Sequence, residues 1–425
     1  MRASVVPPKI RMFCGMSEQR ELSKPWLSIV GIGEDGVAGL SAQARESIQS
    51  ATLVFGGARH LTLAGSLIRG TPRPWASPFD RNIPEVLAHR GKAVCVLASG
   101  DPFMHGIGSL LSRHVTREEA VAFPAPSAFS LAASRLQWPL CEASLLSLCG
   151  KPIDLIRPHL QAGARILALT SDNRTPAAIA ALLGDSGFPQ SRITVLEALG
   201  GPEERVRTAP AAEFSLDGIN PLNVVAVEVI ADPAARILAR AAGLPDELFE
   251  HDGQITKREI RALTLSALAP RRGEHLWDVG AGSGSVAIEW LLADPSLTAV
   301  AVEQRTDRAA RIRRNAVAFG VPGLQVVTAN APEAFDRLSP PDAIFIGGGA
   351  TAPGVMAAAR AALRPQGRLV ANAISLETEA LLLKEHEQLG GQLLRVALAR
   401  SGPLSEQVSG WRPAMPLLQW SWVKP

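Results

Sequence analysis

The glycine-rich stretch at residues 278–285 constrains the fold more than any other part of the chain. It reads Asp-Val-Gly-Ala-Gly-Ser-Gly-Ser and lies between a short apolar run ending at Trp277 and a segment with helical spacing, 286–291. This order predicts a strand, a tight turn and the start of a helix, because glycine permits a sharply bent backbone and close approach of a ligand. The first amides of the helix add free hydrogen-bond donors, so the sequence predicts a nucleotide-like ligand at this turn.

An acidic residue, Glu303, ends the next apolar run, 297–302. A carboxylate at this position can accept hydrogen bonds from both hydroxyls of a ribose, so we expect Glu303 to bind the ribose. The glycine spacing differs from the dinucleotide pattern Gly-x-Gly-x-x-Gly, and no P-loop lysine follows. It resembles the first motif of class I S-adenosylmethionine (SAM) methyltransferases. That resemblance implies SAM contacts from Gly280, Ala281, Gly282, Ser283 and Gly284.

Composition limits the classes of protein that fit. The chain has 425 residues, of which 47% are hydrophobic and 20% charged, which predicts two or three globular domains. A net charge of only +3 gives no electrostatic reason to expect nucleic acid or an anionic membrane as a partner. No apolar run approaches the roughly 20 residues that span a bilayer. Residues 1–25 lack the apolar core of a signal peptide and are expected to form a disordered tail, with Met16 as a second candidate start.

Cysteine and histidine give no pattern typical of a metal site. None of the four cysteines forms a Cys-x-x-Cys pair, and the eight histidines do not cluster with them, so we expect no bound metal. Cys95 lies in an apolar run and is predicted to be in the core. The composition suits a reduced, cytoplasmic protein.

Strand and helix patterns alternate along the chain, which predicts an α/β protein with a mostly parallel sheet in at least the first lobe. We predict strands in the first half at 26–30, 52–55, 93–98, 165–169, 193–199 and 223–230. Those of the second half are predicted at 274–279, 298–302, 324–328, 343–346 and 367–372, followed by an antiparallel pair, 393–399 and 416–423. Breaker residues at 150–163 suggest a boundary between two lobes. Further breakers at 231–254 suggest a linker between domains at 26–230 and 255–425.

The first half resembles the tetrapyrrole (class III) methyltransferases. The resemblance depends on segments at 30–33, 99–103, 124–128, 170–176 and 197–205, in the family's order. It implies a two-lobed fold that holds SAM through Ser99, Gly100, Asp101, Ser127 and Ala128. The first loop departs from the family's Gly-x-Gly-Pro-Gly-Asp, since residues 31–36 read Gly-Ile-Gly-Glu-Asp-Gly, so Asp35 receives no catalytic role. His105 is either a base or a structural residue.

The second half resembles the decarboxylating methyltransferases that act with that family. The matching segments are 254–261, 278–285, Glu303, 330–333 and 344–349. The resemblance implies a Rossmann-like, doubly wound class I sheet that follows the two-lobed class III fold.

Several positions in the second half keep two interpretations. Thr256 touches SAM, caps the helix that begins near residue 257, or does both. Asn330 and Ala331 lie near the adenine or form an ordinary turn. Asp278 accepts amide hydrogen bonds of the loop, contacts the ligand, or both. Residues 347–349 form a plain turn or the edge where substrate lies. The Arg271–Arg272 pair faces solvent or binds substrate carboxylates.

The two halves in this order resemble the fused, decarboxylating precorrin-6B C(5,15)-methyltransferase family of cobalamin synthesis. That resemblance implies two SAM sites and a bifunctional enzyme that methylates carbons 5 and 15 and decarboxylates the acetate on carbon 12, giving precorrin-8X. It also implies a metal-free tetrapyrrole substrate and a homo-oligomer assembled through the C-terminal domain. Two other hypotheses stay open: a methyltransferase acting on RNA or protein, and a non-catalytic tetrapyrrole carrier. No residue is identified as the catalytic acid or base.

Overall fold

The computed structural model describes residues 25–403, 405 and 408–425. The predicted tail at 1–25 and the candidate start at Met16 therefore lie outside the described residues, except for Pro25, which is exposed. The chain divides into two compact units, one formed by residues 25–140 with Leu196–Arg205 and the other by Cys141–Val195 with Val206–Pro425.

The first unit is built on a five-stranded parallel sheet with the order β3-β2-β4-β1-β5. Ile29 and Val30 of the central strand β1 pack into separate cores, because successive side chains of a strand point to opposite faces. Both faces of this sheet are therefore covered. The elements are β1 Leu27–Ile32, α1 Ala42–Ser50, β2 Leu53–Gly56, α2 Ala58–Ala64, β3 Thr71–Pro74, α3 Asn82–Leu87, β4 Val94–Ser99, α4 Gly108–Leu111, β5 Ala120–Phe123 and α5 Ala128–Leu136.

The second unit begins with a smaller sheet in the order β6-β7-β10-β8-β9. Its β7 pairs parallel with β6 and antiparallel with β10, so this sheet is mixed, whereas the first unit confirms the mostly parallel sheet expected in the first lobe. The elements are β6 Ala143–Ser147, β7 Arg165–Leu169, α6 Thr175–Asp185, β8 Arg192–Glu197, β9 Arg205–Pro210 and β10 Asn223–Glu228.

The predicted lobe boundary at 150–163 is a packed connection. It contains the 3-10 helix Ile153–His159, and both Ile156 and Leu160 are buried in the core of the smaller sheet. The two units separate earlier, between Leu140 and Cys141. The breaker residues there form turns within a packed segment, because the apolar residues between them are buried.

A seven-stranded sheet forms the rest of the second unit, in the order β13-β12-β11-β14-β15-β19-β16. Strands β11 to β15 are parallel, and β19 runs antiparallel to both β15 and β16. The Rossmann-like sheet and its closing antiparallel pair are thus confirmed. The elements are α7 Arg258–Leu268, β11 His275–Val279, α8 Ser285–Ala293, β12 Thr298–Glu303, α9 Thr306–Ala318, β13 Gln325–Thr328, β14 Ala343–Ile346, α10 Val355–Ala362, β15 Arg368–Ala373, α11 Leu376–Leu389, β16 Gln392–Val396, β17 Ala399–Pro403, β18 Ser409–Pro413 and β19 Leu417–Val423.

The segment before α7 packs tightly although its breakers suggested a linker. Leu238, Leu244 and Phe249 are buried in the same core as α8 and α9. A buried ion pair stabilises the packing of this segment. The guanidinium of Arg261 donates from Nε to Glu289 Oε1 at 2.6 Å. The Glu289 carboxylate also accepts the backbone amides of residues 243 and 244, at 2.6 and 2.9 Å. We call residues 243–254 the strap.

Cys95 is fully buried in the first unit, as predicted. Arg271 and Arg272 are exposed to solvent. Within the part of the chain that the structure describes, no helix is long and apolar enough to cross a membrane.

Candidate functional site

The glycine loop after β11 requires glycine for its conformation and for its packing. Gly280, Gly282 and Gly284 have φ of +69°, +59° and +76°, in the left-handed region that other residues rarely adopt. A Cβ on Gly280 would lie 2.7 Å from the carbonyl oxygen of Gly348, and one on Gly284 would lie 2.7 Å from Ile312. The loop is therefore in close contact on two sides, and a side chain at either position would displace it.

Glu303 supports this loop from the end of β12. The residue is 3% exposed. Its Oε2 accepts the amide of Gly282 at 2.9 Å, and its Oε1 accepts the amide of Arg305 at 3.0 Å. An ionised carboxylate has about four lone-pair sites, so each oxygen can still accept another donor. This arrangement fits a carboxylate that positions the loop and binds two ribose hydroxyls together.

Asp278 is a buried carboxylate with one oxygen unpaired. Its Oδ2 accepts the amide of Ala287 in α8 at 3.1 Å, while Oδ1 is buried without a hydrogen-bond partner. Burial above all, with repulsion from Glu303, raises the pKa of Asp278 to about 7, although the Ala287 hydrogen bond acts to lower it. An unpaired buried oxygen is costly, so this position is suited to a bound donor or to a proton.

The strap reaches the glycine loop through Asn315 of α9. The Asn315 amide donates to the carbonyls of Ser283, at 2.9 Å, and Glu250, at 3.0 Å, and it accepts the amide of Glu250 at 2.9 Å. The carbonyl oxygen of Gln254 lies 3.3 Å from where a Cβ of Gly282 would be. Loop and strap are therefore fixed relative to each other.

Thr256 follows the strap and is half-buried. The helix α7 begins at Arg258 with Lys257 as its N-cap residue, so the expectation that Thr256 caps this helix is wrong. The carbonyl of Thr256 instead accepts a hydrogen bond from Arg261. The SAM contact of Thr256 stays a prediction.

The remaining predicted positions of the second half lie after β13 and β14. Asn330 is exposed and its carbonyl accepts the amide of Ala334 at 3.0 Å, while Ala331 packs partly against the core. Gly347 donates its amide to Val279 at 3.0 Å. The loops after β11, β12, β13 and β14 therefore share the carboxyl edge of one parallel sheet, where ligands of such sheets bind.

In the first unit, the loops after β1, β4 and β5 meet at the carboxyl edge of the other parallel sheet. A Cβ on Gly31 would lie only 1.8 Å from the carbonyl oxygen of Gly100. Gly100 has a φ of +52°, and its carbonyl accepts the amide of Ala125 at 3.2 Å. The predicted residues Ser99, Gly100 and Asp101 therefore lie beside the segment that leads to Ser127 and Ala128.

Side chains at this edge either shape the backbone or face outward. Ser127 caps α5 by accepting the amide of Ser130 at 3.0 Å, and Asp101 accepts the amide of Phe103 at 2.8 Å. His105 is exposed and its ring meets Phe129 edge-on at 6.1 Å. Ser99 is exposed, so its hydroxyl is open to a ligand.

Three further polar residues contact Ser99 directly or indirectly, and the sequence analysis did not identify them. They are Glu34, Arg59 and His60. The sequence signal for them was Glu34, which stands where the family's first loop has proline.

Comparison with known proteins covers both halves of the chain. Residues 27–215 match the model of the tetrapyrrole (corrin/porphyrin) methylases, and residues 247–424 match the precorrin methyltransferase domain. The chain is 59% identical over 400 residues to precorrin-6Y C(5,15)-methyltransferase [decarboxylating] of Sinorhizobium sp, covering 94% of this chain and 97% of the relative.

Two shorter proteins match part of the chain. A probable cobalt-precorrin-6B C(15)-methyltransferase (decarboxylating) of Saccharolobus solfataricus is 36% identical over 35% of this chain and 77% of its own length. The crystal structure of the C-terminal domain of precorrin-6Y C5,15-methyltransferase from Rhodobacter capsulatus is 46% identical, covers 44% of this chain and 100% of that chain, and superposes with a TM-score of 0.42.

Proposed function

Since the chain belongs to the decarboxylating precorrin-6Y C(5,15)-methyltransferase family, we propose that it is a bifunctional enzyme of cobalamin synthesis with two separate SAM sites. The N-terminal domain methylates carbon 5 of the precorrin. The C-terminal domain methylates carbon 15 and decarboxylates the acetate on carbon 12, which gives precorrin-8X. One partial relative carries both C(15) and decarboxylating in its name, which supports assigning these two steps to one domain.

The observation that carries the proposal is the pairing of the glycine loop with Glu303 in the second unit. The three glycines of the loop hold a left-handed, closely packed backbone beside Glu303, and the carboxylate keeps acceptor capacity on both oxygens. Asp278 adds an unpaired buried oxygen nearby. This set of acceptors fits the hydroxyl and amino groups of SAM.

We assign the SAM contacts of the two sites as follows. The first site uses Ser99, Gly100, Asp101, Ser127 and Ala128. The second site uses Thr256, Gly280, Ala281, Gly282, Ser283, Gly284, Glu303, Asn330 and Ala331.

The chemistry requires positioning more than a nucleophilic side chain. SAM supplies an electrophilic methyl group, and the acceptor carbon must be held about 3–3.5 Å from it in line. A partly reduced tetrapyrrole has electron-rich bridging carbons, and its protonated macrocycle can take up the electrons released when the acetate loses carbon dioxide. The residues of this chain thus bind, orient and exclude water.

Mass spectrometry of the product tests the proposed function. The full chain is incubated with methyl-labelled SAM and a metal-free precorrin substrate. Two added methyl groups and the loss of one carbon dioxide are expected. Labelling of RNA or protein in place of the tetrapyrrole would refute the proposal, and so would tetrapyrrole binding without any label transfer, which would indicate a carrier.

The broader organisation follows from the same family membership. We propose domains at 26–230 and 255–425, a homo-oligomer assembled through the C-terminal domain, and a cytoplasmic location. Sedimentation of the full chain would test the oligomer: a monomer at micromolar concentration would refute it.

A further inference from the structure

A polar cluster extends the first SAM site beyond the residues that the family motifs identify. It consists of Glu34, Arg59, His60 and Ser99. These residues come from the carboxyl ends of three adjacent strands, because Glu34 follows β1, the pair 59–60 lies in α2 directly after β2, and Ser99 ends β4. Such an edge is where ligands of parallel sheets bind.

The hydrogen bonds of the cluster determine where its protons are. Arg59 Nη2 lies 3.1 Å from His60 Nε2 and 2.9 Å from Ser99 Oγ, and His60 Nε2 lies 2.8 Å from Ser99 Oγ. A guanidinium can only donate hydrogen bonds. His60 Nε2 is therefore the acceptor, with its single lone pair shared between Arg59 and Ser99, which places the ring proton on Nδ1 and makes Ser99 the donor to His60.

The surroundings support a neutral imidazole. Burial, and then the charge of Arg59, lower the pKa of His60 to about 4, so the ring carries no charge near pH 7. Arg59 is in turn paired with Glu34 through Nη1. Glu34, which stands where the family's first loop has proline, thus neutralises the arginine beside the site.

This network leaves the Ser99 hydroxyl with one role toward a ligand. Its proton goes to His60, and one of its two lone pairs accepts from Arg59. The remaining lone pair can only accept. We propose that Arg59 and His60 are positioning residues that hold Ser99 as a hydrogen-bond acceptor for a hydroxyl or amino donor of SAM in the first site. The proposal rests on the proposed function.

A binding experiment on the full chain tests it, with S-adenosylhomocysteine as the probe in calorimetry. Unmodified protein should bind two equivalents. The first site is then measured alone in a Glu303→Ala background. Ser99→Ala and His60→Leu should each weaken binding there about three- to tenfold, the range expected for one neutral hydrogen bond.

Two substitutions distinguish positioning from a structural role. His60→Gln places an amide oxygen near the position of Nε2 and should bind within about twofold of its parent. The asparagine side chain of His60→Asn is too short to reach Ser99, so this variant should bind as weakly as His60→Leu. It serves in place of His60→Leu if the leucine variant does not fold. His89→Leu is the matched control, since His89 also has a buried, unpaired Nδ1 in this unit but packs against Phe55; its affinity should not change.

The double variant Ser99→Ala/His60→Leu gives the sharpest result. If His60 acts through Ser99, the double variant binds no more weakly than Ser99→Ala alone. Additive losses, or unchanged binding in folded His60→Leu, would overturn the inference. A single equivalent bound by unmodified protein would instead overturn the two-site function.

Discussion

Replacing Glu303 by alanine should silence the second SAM site and leave the first intact. The carboxylate holds the amides of Gly282 and Arg305 and is proposed to accept two ribose hydroxyls. Hydrogen bonds to a charged acceptor contribute about 1.5–3 kcal/mol each. Water can replace part of this in the variant, so we expect affinity at the second site to fall by about one to three powers of ten.

The assay is equilibrium binding of labelled SAM to the full chain, followed by product analysis. Glu303→Ala should retain one equivalent and should still methylate carbon 5, while methylation of carbon 15 fails. Glu377→Ala, at an exposed position of α11, is the matched control and should retain both equivalents. Decarboxylation that persists in Glu303→Ala would show that the acetate chemistry does not need bound SAM.

Two results would refute the reasoning. Undiminished affinity at both sites would show that Glu303 does not bind the cofactor. Loss of carbon 5 methylation in a variant that still unfolds cooperatively would show that the two sites depend on each other.

Three further predictions concern stability. The pKa of Asp278 is raised to about 7, above a usual value near 4, so its contribution to the free energy of unfolding is lost as pH rises from about 4 to 7. The variant Asp278→Asn should therefore melt at a higher temperature than the parent at pH 8 but not at pH 4. An equal change in melting temperature at both pH values would contradict this. Gly280→Ala adds a steric clash to a left-handed backbone. Gly349→Ala, with a φ of +77° and open space, adds only the backbone cost of about 1–2 kcal/mol. Urea unfolding should therefore show the larger loss of unfolding free energy for Gly280→Ala, and equal losses would show that the clash is relieved. Arg261→Met leaves the buried Glu289 carboxylate without its ion-pair partner and should lower the free energy of unfolding by about 3–5 kcal/mol. Adding Glu289→Gln should recover part of that loss. If it recovers none, the unpaired buried charge is not the cause of the destabilisation.

The seven-stranded sheet could be predicted because its signals are local. The strand at 343–346 was predicted with the observed bounds, since it is a continuous apolar run, and such runs are typical of buried parallel strands. The helix α9 and the closing pair β16 and β19 also follow from local patterns. The position of Glu303 at the end of a strand was predicted as well, but its hydrogen bond to the loop amide of Gly282 was not.

Other elements had no local signal. Strand β3, Thr71–Pro74, contains two prolines and is exposed throughout, so neither composition nor alternation marks it. Residues 231–254, which include the strap, were interpreted as a linker because Leu238, Leu244 and Phe249 are scattered among breakers without a period. Their burial depends on contacts with α8 and α9, which a single sequence does not display.

The candidate sites show the same limit. Ser99 could be found from its motif, but its contact with His60 joins residues 39 positions apart. Sequence reasoning considered His105 as either a base or a structural residue, because it is close to that motif along the chain. In the fold His105 is exposed, while His60 contacts the motif through the neighbouring strand.

The strap also has a consequence for how the chain is made. Glu250 is hydrogen-bonded to Asn315, which lies 65 residues later in the sequence, and Phe249 stacks on Phe319 at 4.2 Å between ring centroids. At roughly 5–20 residues per second, the strap leaves the ribosome roughly 3–13 seconds before these partners are synthesised. During that interval the apolar side chains of the strap cannot pack against α9 and stay exposed to solvent. The nascent chain therefore carries an exposed hydrophobic segment that chaperones can bind until α9 emerges.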